Sequence, residues 1–164
     1  MREIERWTLP HAGLIVRTGE DALVLPASEE TIMQVRDISA CITTDRLEES
    51  RAFYAKHLGA RVTFDCGWYI NLEFGERGAC LQFMKPQHGE ALCNPAGLTY
   101  NLHVEDVDME CARMLASGIE PIMPITDHPW GDRAFTIQDP NGILLYIYSE
   151  REPSAEYKAF YTGG

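Results

Sequence analysis

The feature that most constrains this chain is a repeat. Residues 38–43 alternate as a short strand, and a helix pattern follows through Leu47, Ala52, Phe53 and Leu58. Asp45 is positioned to cap that helix, with Glu48 three residues on in the manner of a capping box, and Gly59 to end it in a left-handed conformation. Three strand patterns come next, at 61–64, 68–72 and 79–84. Residues 98–104 then read as a strand, Asp106 as a cap, Val107, Cys111, Met114 and Leu115 as a helix stripe, and Gly118 as its stop. Strands at 120–123, 134–137 and 143–148 complete the second set. The two caps, like the two terminating glycines, stand about 60 residues apart. The expectation is an α+β fold of tandem βαβββ modules, each sheet carrying its helix on one face and leaving the other free. Two such free faces curving together make a cup-shaped mixed sheet with helices on the outer face, and a cup of this kind accepts a small ligand.

The repeat divides the chain. Residues 37–85 form the first module, 86–97 a linker rich in Pro and Gly, 98–150 the second module and 151–164 a C-terminal tail. Residues 1–36 stand apart as an N-terminal appendage. In it, apolar runs at 13–17 and 22–25 flank Thr18-Gly19-Glu20-Asp21 as a hairpin with a four-residue loop, and Ser28 caps a short helix. Late in the second module, Asp139-Pro140-Asn141-Gly142 separates two apolar runs. Asn141-Gly142 suits the positive backbone angles of a two-residue hairpin turn.

Composition excludes several classes. A formal net charge of −11 opposes binding to nucleic acid, which depends on Lys and Arg neutralising phosphates, and favours a cationic ligand. No apolar run approaches the roughly 20 residues needed to cross a bilayer, and the N-terminus lacks the apolar core of a signal peptide. A soluble, cytoplasmic protein without a membrane partner is expected. The five cysteines are odd in number and none pair at Cys-x-x-Cys spacing, against a disulfide framework or zinc ribbon; Cys41, Cys80 and Cys111 read as core filler. Phosphate-binding loops, nucleophile elbows and His-Glu-x-x-His patterns are missing from the sequence.

Thr44-Asp-Arg-Leu-Glu-Glu-Ser-Arg-Ala-Phe-Tyr54 with His57-Leu-Gly-Ala60 resembles the first helix of the vicinal oxygen chelate superfamily. This group holds glyoxalase I, the extradiol dioxygenases, fosfomycin-resistance enzymes and bleomycin-binding proteins. Val104-Glu-Asp-Val-Asp108, Ser117-Gly-Ile119, Pro129-Trp-Gly-Asp-Arg133 and Asp139-Pro-Asn-Gly142 are similar to the pattern of its second module. The resemblance covers roughly residues 38–150 and implies four inward-facing positions that carry the ligands in the family's metal enzymes. Here they are approximately Ile38 or Ser39, Gln82, Thr99 and Tyr146. None is an imidazole or a carboxylate, the donors that zinc, nickel, iron or manganese want. The chain therefore resembles the metal-free, bleomycin-resistance-like branch, which implies no cofactor, no metal and a homodimer with ligand in a groove between subunits.

The ligand-binding residues follow from alternation and chemistry. On the strand at 98–104, Leu98, Tyr100, Leu102 and Val104 share one face and pack on the helix, so Thr99, Asn101 and His103 face the cup. Gln82 and Tyr146 both donate and accept hydrogen bonds and suit a polar organic ligand. Trp68, Tyr69, Trp130 and Tyr148 offer flat rings for stacking and for cations. Gly131 permits a close turn beside Trp130, and Asp132 and Arg133 are placed to read opposite charges on a ligand. The expected function is sequestration of a planar or cationic organic compound such as an antibiotic, with no catalytic residue. The alternatives are a metal-dependent lyase, isomerase or dioxygenase with displaced ligands (His103, Gln82 and Glu73 or Glu105), and a metal-free enzyme using His103 or Tyr146 as acid or base.

Overall fold

The computed structural model describes residues 15–18, 21–24, 33–76 and 78–162. The chain divides into two compact units, residues 1–38 and 39–164. In the first unit, β1 (Ile15–Thr18) pairs antiparallel with β2 (Asp21–Val24). The expected hairpin is present, and its pairing continues to Thr18 opposite Asp21, so those two residues belong to the strands and not to the loop. The helix expected after Ser28 lies outside the described residues.

The second unit holds the two modules. The first runs β3 (Ala40–Thr43), α1 (Leu47–Leu58), β4 (Arg61–Asp65), β5 (Tyr69–Phe74) and β6 (Ala79–Met84). The second runs β7 (Thr99–His103), α2 (Val107–Ala116), β8 (Met123–His128), β9 (Asp132–Gln138) and β10 (Leu144–Glu150). A short α3 (Ala155–Lys158) follows. The sheets have the same topology, β3-β6-β5-β4 and β7-β10-β9-β8, with the first pair parallel and the others antiparallel. The fold is α+β with tandem βαβββ modules, and neither sheet closes into a barrel.

Helix boundaries follow local chemistry, with one departure. Asp106 Oδ1 accepts the N–H of Met109 at 3.0 Å, and Gly59 (φ 67°) and Gly118 (φ 79°) take the left-handed conformation that ends each helix. Asp45 does not cap α1. The cap position is Arg46, without a side-chain hydrogen bond, and the Arg46 N–H is taken by the Thr44 hydroxyl at 2.9 Å. Glu48 is engaged with Lys85 at 2.6 Å, so no capping box forms.

One apolar core joins the modules. Ile42, Leu47, Tyr54, Ile70, Leu72 and Phe83 from the first meet Val107, Met114, Phe135, Ile137, Leu145 and Ile147 from the second. Each of these side chains contributes roughly 1.5–3 kcal/mol by leaving water. A polar clasp crosses the same boundary. The buried Tyr54 hydroxyl donates to Asp139 Oδ2 at 3.0 Å, Asn141 Nδ2 donates to Ser50 Oγ at 2.9 Å, and the Thr44 hydroxyl donates to Asn141 Oδ1 at 2.5 Å. Asp139 also accepts the N–H groups of Asn141 and Ile143, each at 2.8 Å. The turn between β9 and β10 is Asp139–Gly142, closed by the Gly142 N–H on the Asp139 carbonyl at 3.0 Å with Gly142 at a φ of 86°, in place of the expected two-residue turn centred on Asn141-Gly142.

Because the helix-backed faces share this core, the free faces are turned away from it. Cys41, Cys80, Gln82, Tyr69 and Asn71 lie together on the first, since Cys41 and Asn71 both register with Gln82. Thr99, Asn101, His103, Tyr146 and Tyr148 lie on the second, where Tyr146 registers with Asn101 and Tyr148 with His103. The expectation that Cys41 and Cys80 fill core is corrected by this register: Cys41 is exposed and Cys80 half-buried, and only Cys111 is buried.

Candidate ligand-binding face

The second module's free face carries a continuous run of rings. His103 stacks on Tyr148 with centroids 5.2 Å apart, and Tyr148 lies 6.0 Å from Tyr146. His128 sits 6.2 Å from Tyr146 and stacks on Trp130 at 4.3 Å with only 7° between planes. Strand register explains the alignment. Tyr146 and Tyr148 are two apart on β10 and share a face, and β7 runs parallel beside it to bring Asn101 and His103 alongside. On the other flank, His128 opposes Asp132 and Asp132 opposes Glu150.

Asp132 sits beneath this run. Both its carboxylate oxygens lie 3.0 Å from the Tyr146 hydroxyl, which donates to them. Burial, and then the hydrogen bond and charge of Asp132, push the Tyr146 phenol up to about 12, so it stays a donor at neutral pH. Acidic oxygens flanked by aromatic rings suit an organic cation, which gains both from the charge and from the negative ring faces.

The residues expected from sequence separate into two groups and one outlier. Thr99, Asn101, His103, Tyr146, Tyr148 and Trp130 belong to the second module's face, with Thr99, Asn101 and His103 exposed. Tyr69 and Gln82 belong to the first module's face. Trp68 and Phe64 each lie 5.9 Å from Tyr69. Gln82 Nε2 donates to Ser39 Oγ at 2.9 Å and to Asn71 Oδ1 at 3.2 Å.

Arg133 is the outlier. Its place beside Asp132 in the sequence puts it on the opposite face of β9, where it binds Asp108 of α2 through Nε and Nη2 (2.8 Å at closest) and Asp127 at 3.0 Å. It ties helix to sheet, and the same contact holds the Asp108 carboxyl below the usual range. The Asp132-Arg133 pair expected to face a ligand together is split by the strand, with Arg133 on Asp108 and Asp127 and Asp132 against Tyr146.

His128, Asn71 and Phe64 escaped the sequence reading. The strand expected at 120–123 occupies Met123–His128, which places His128 on the sheet. The alternation of Thr126 and His128, ending at the Pro129-Trp130-Gly131 turn, was the signal that could have found it.

The profile of the Glyoxalase/Bleomycin resistance protein/Dioxygenase superfamily matches residues 35–147, and the chain belongs to that superfamily. Among curated proteins none matches it. A glyoxalase/bleomycin resistance protein/dioxygenase from Nocardioides superposes with a TM-score of 0.63 at 23% identity, covering 75% of this chain and 88% of that one. A member of the same superfamily from Sphaerobacter thermophilus gives 0.60 at 21% identity, covering 73% and 100%. A structure named lactoylglutathione lyase from Agrobacterium tumefaciens gives 0.57 at 20% identity, covering 71% and 95%. At these identities the likeness is one of fold.

The metal that serves many enzymes of this superfamily finds a poor donor set here. Ser39 and Gln82 are hydrogen-bonded to each other, Tyr146 donates to Asp132, and Thr99 offers a hydroxyl. Hydroxyls and an amide do not match the imidazole, carboxylate or thiolate preference of such ions. The displaced set is divided between the modules, with Glu73 and Gln82 on the first sheet and His103, followed closely by Glu105, in the second. No group of three or more His, Cys, Asp or Glu side chains able to hold a metal occurs among the described residues.

Proposed function

We propose that this protein is a small-molecule-binding member of the superfamily, of the metal-free bleomycin-resistance type, which sequesters a planar or cationic organic compound such as an antibiotic. The observation that carries the reading is the ring run from His103 through Tyr148, Tyr146 and His128 to Trp130, with the Asp132 carboxylate beside it. Flat rings stack on this run, and stacking with desolvation supplies the affinity. The net charge of −11 draws a cation in and speeds capture.

Homodimerisation is part of the proposal. Each free face is open in one copy, and Phe64, Trp68, Met123 and Trp130 on or beside these faces are each more than 40% exposed. A second copy laying its first-module face against this second-module face would close a groove, bringing Tyr69, Gln82 and Trp68 opposite the ring run. The action is stoichiometric, in the cytoplasm, with no cofactor. Isothermal titration against a panel of cationic and aromatic antibiotics is expected to give saturable binding at one ligand per groove, with protection of cells that express the protein. Uniform absence of heat and of protection would overturn the reading.

A metal-dependent lyase, isomerase or dioxygenase is the rival, supported by the shared fold of a structure named lactoylglutathione lyase. Elemental analysis after loading with nickel, zinc or iron separates the two, since stoichiometric retention of an ion would favour the enzyme.

A further inference from the structure

The tail beyond the superfamily match ends on the ring run. The family match ends at residue 147, within β10, and the tail lies beyond it. After β10 the chain folds back over the turn between β8 and β9 and hydrogen-bonds three successive carbonyls. Ser154 N–H donates to Pro129 O at 2.9 Å, the Tyr161 hydroxyl to Trp130 O at 2.5 Å, and Arg151 N–H to Gly131 O at 2.9 Å. The approach is close enough that a Cβ on Gly131 would stand 3.0 Å from the Arg151 carbonyl oxygen and 3.1 Å from Pro153, at a φ of 108°. The turn and the tail are thus built for one another.

This clasp adds a ring to the run. Tyr157, on α3, packs 6.3 Å from Trp130 at 61°, and Phe160 lies a further 6.0 Å from Tyr157. Trp130 is held between His128 and Tyr157 yet stays 42% exposed, and Phe160 is 73% exposed. From the Asp132–Tyr146 pair, the ring path therefore continues through His128 and Trp130 onto the tail. A one-ring cation seated at Asp132 covers one step of that path. A fused polycycle seated there reaches further along it.

We infer that residues 151–161 form the far wall of the ligand site and that Tyr157 is a specificity-determining residue favouring an elongated, fused-ring cation over a single-ring one. The inference rests on the binding reading above and goes beyond it in naming the ligand's shape and the segment that selects it. Two probes test it: proflavine, a three-ring planar cation, and tyramine, a one-ring cation. Their affinities are measured by titration calorimetry for the full chain and for Tyr157→Ala and Tyr157→Phe, with thermal unfolding run on each variant as a check of folding.

The expected result is that the wild type prefers proflavine and that Tyr157→Ala lowers the ratio of proflavine to tyramine affinity by roughly tenfold, the scale of one lost ring contact. Tyr157→Phe, which keeps the ring, is expected to restore the ratio. Wild type that binds both probes, with Tyr157→Ala leaving the ratio unchanged, overturns the inference and leaves the binding reading standing. A merely structural tail would weaken both probes alike, and so would give that unchanged ratio. Wild type that binds neither probe overturns the inference, and the antibiotic panel decides the binding reading separately.

Discussion

Asp132 and Arg133 are neighbours in the chain, yet one strand step separates their fates. Asp132 accepts from Tyr146 on the open ring-bearing face, while Arg133 is locked to Asp108 and Asp127 on the other. Two expectations belong to this scale. Replacing Asp132 with Asn removes the charge and keeps the shape, so proflavine affinity is expected to fall about tenfold and to lose much of its salt dependence; titrations at low and high salt check it. The second concerns Tyr146, whose phenol is pushed up to about 12, above the ordinary value of 10.0. The fold therefore favours the protonated form. Its contribution to stability is whole below pH 10 and is lost as pH rises toward 12. Tyrosinate absorbance followed through alkaline titration is expected to show a late-titrating component that Tyr146→Phe reduces by one tyrosine, while Tyr54, Tyr69 and Tyr100, also raised by burial, persist.

At the scale of elements, the repeat was legible because caps, stops and alternation are local chemistry. Gly59, Gly118 and Asp106 act as their neighbours in sequence require. Where the sequence misled, a distant partner had overruled a local preference. Asp139 accepts from Tyr54 of the other module and from two N–H groups of its own loop, so the tight turn spans Asp139–Gly142 and is not centred on Asn141-Gly142. Strand β8 slipped from its expected place because no side chain there marks where pairing with β9 begins; among the described pairs its register shifts between Met123 and Thr126. The candidate face was readable on β7 and β10 by alternation, whereas the contribution of His128 depended on that register.

Two substitutions test the elements. Tyr54→Phe removes one donor from a buried Asp139 that keeps three others, including the Asn141 side chain at 3.1 Å. A loss of about 1 kcal/mol in urea unfolding is expected, with the fold intact. Gly131→Ala forces a side chain into a left-handed position against Arg151 and Pro153, at a cost of about 1–3 kcal/mol. Its expected signature is faster amide exchange at Arg151 and Ser154, whose N–H groups bond to that turn.

For the whole molecule, a single core draws the helix-backed faces of the two modules together and leaves both ligand-type faces outward. Both faces are open in one copy, which is the ground for the proposal that a second copy closes a groove. The scaffold is shared with the superfamily, and on it this chain carries the ring run, Asp132 and the tail. The most direct measurement is a crystal structure of the protein grown with proflavine. The account expects the flat cation on the second module's free face, in ring contact with Tyr146 and His128 and within reach of Asp132, with the first module of a second copy opposite. An ordered metal ion coordinated by Gln82 and Tyr146, or a ring run left bare with the probe bound elsewhere, would contradict it.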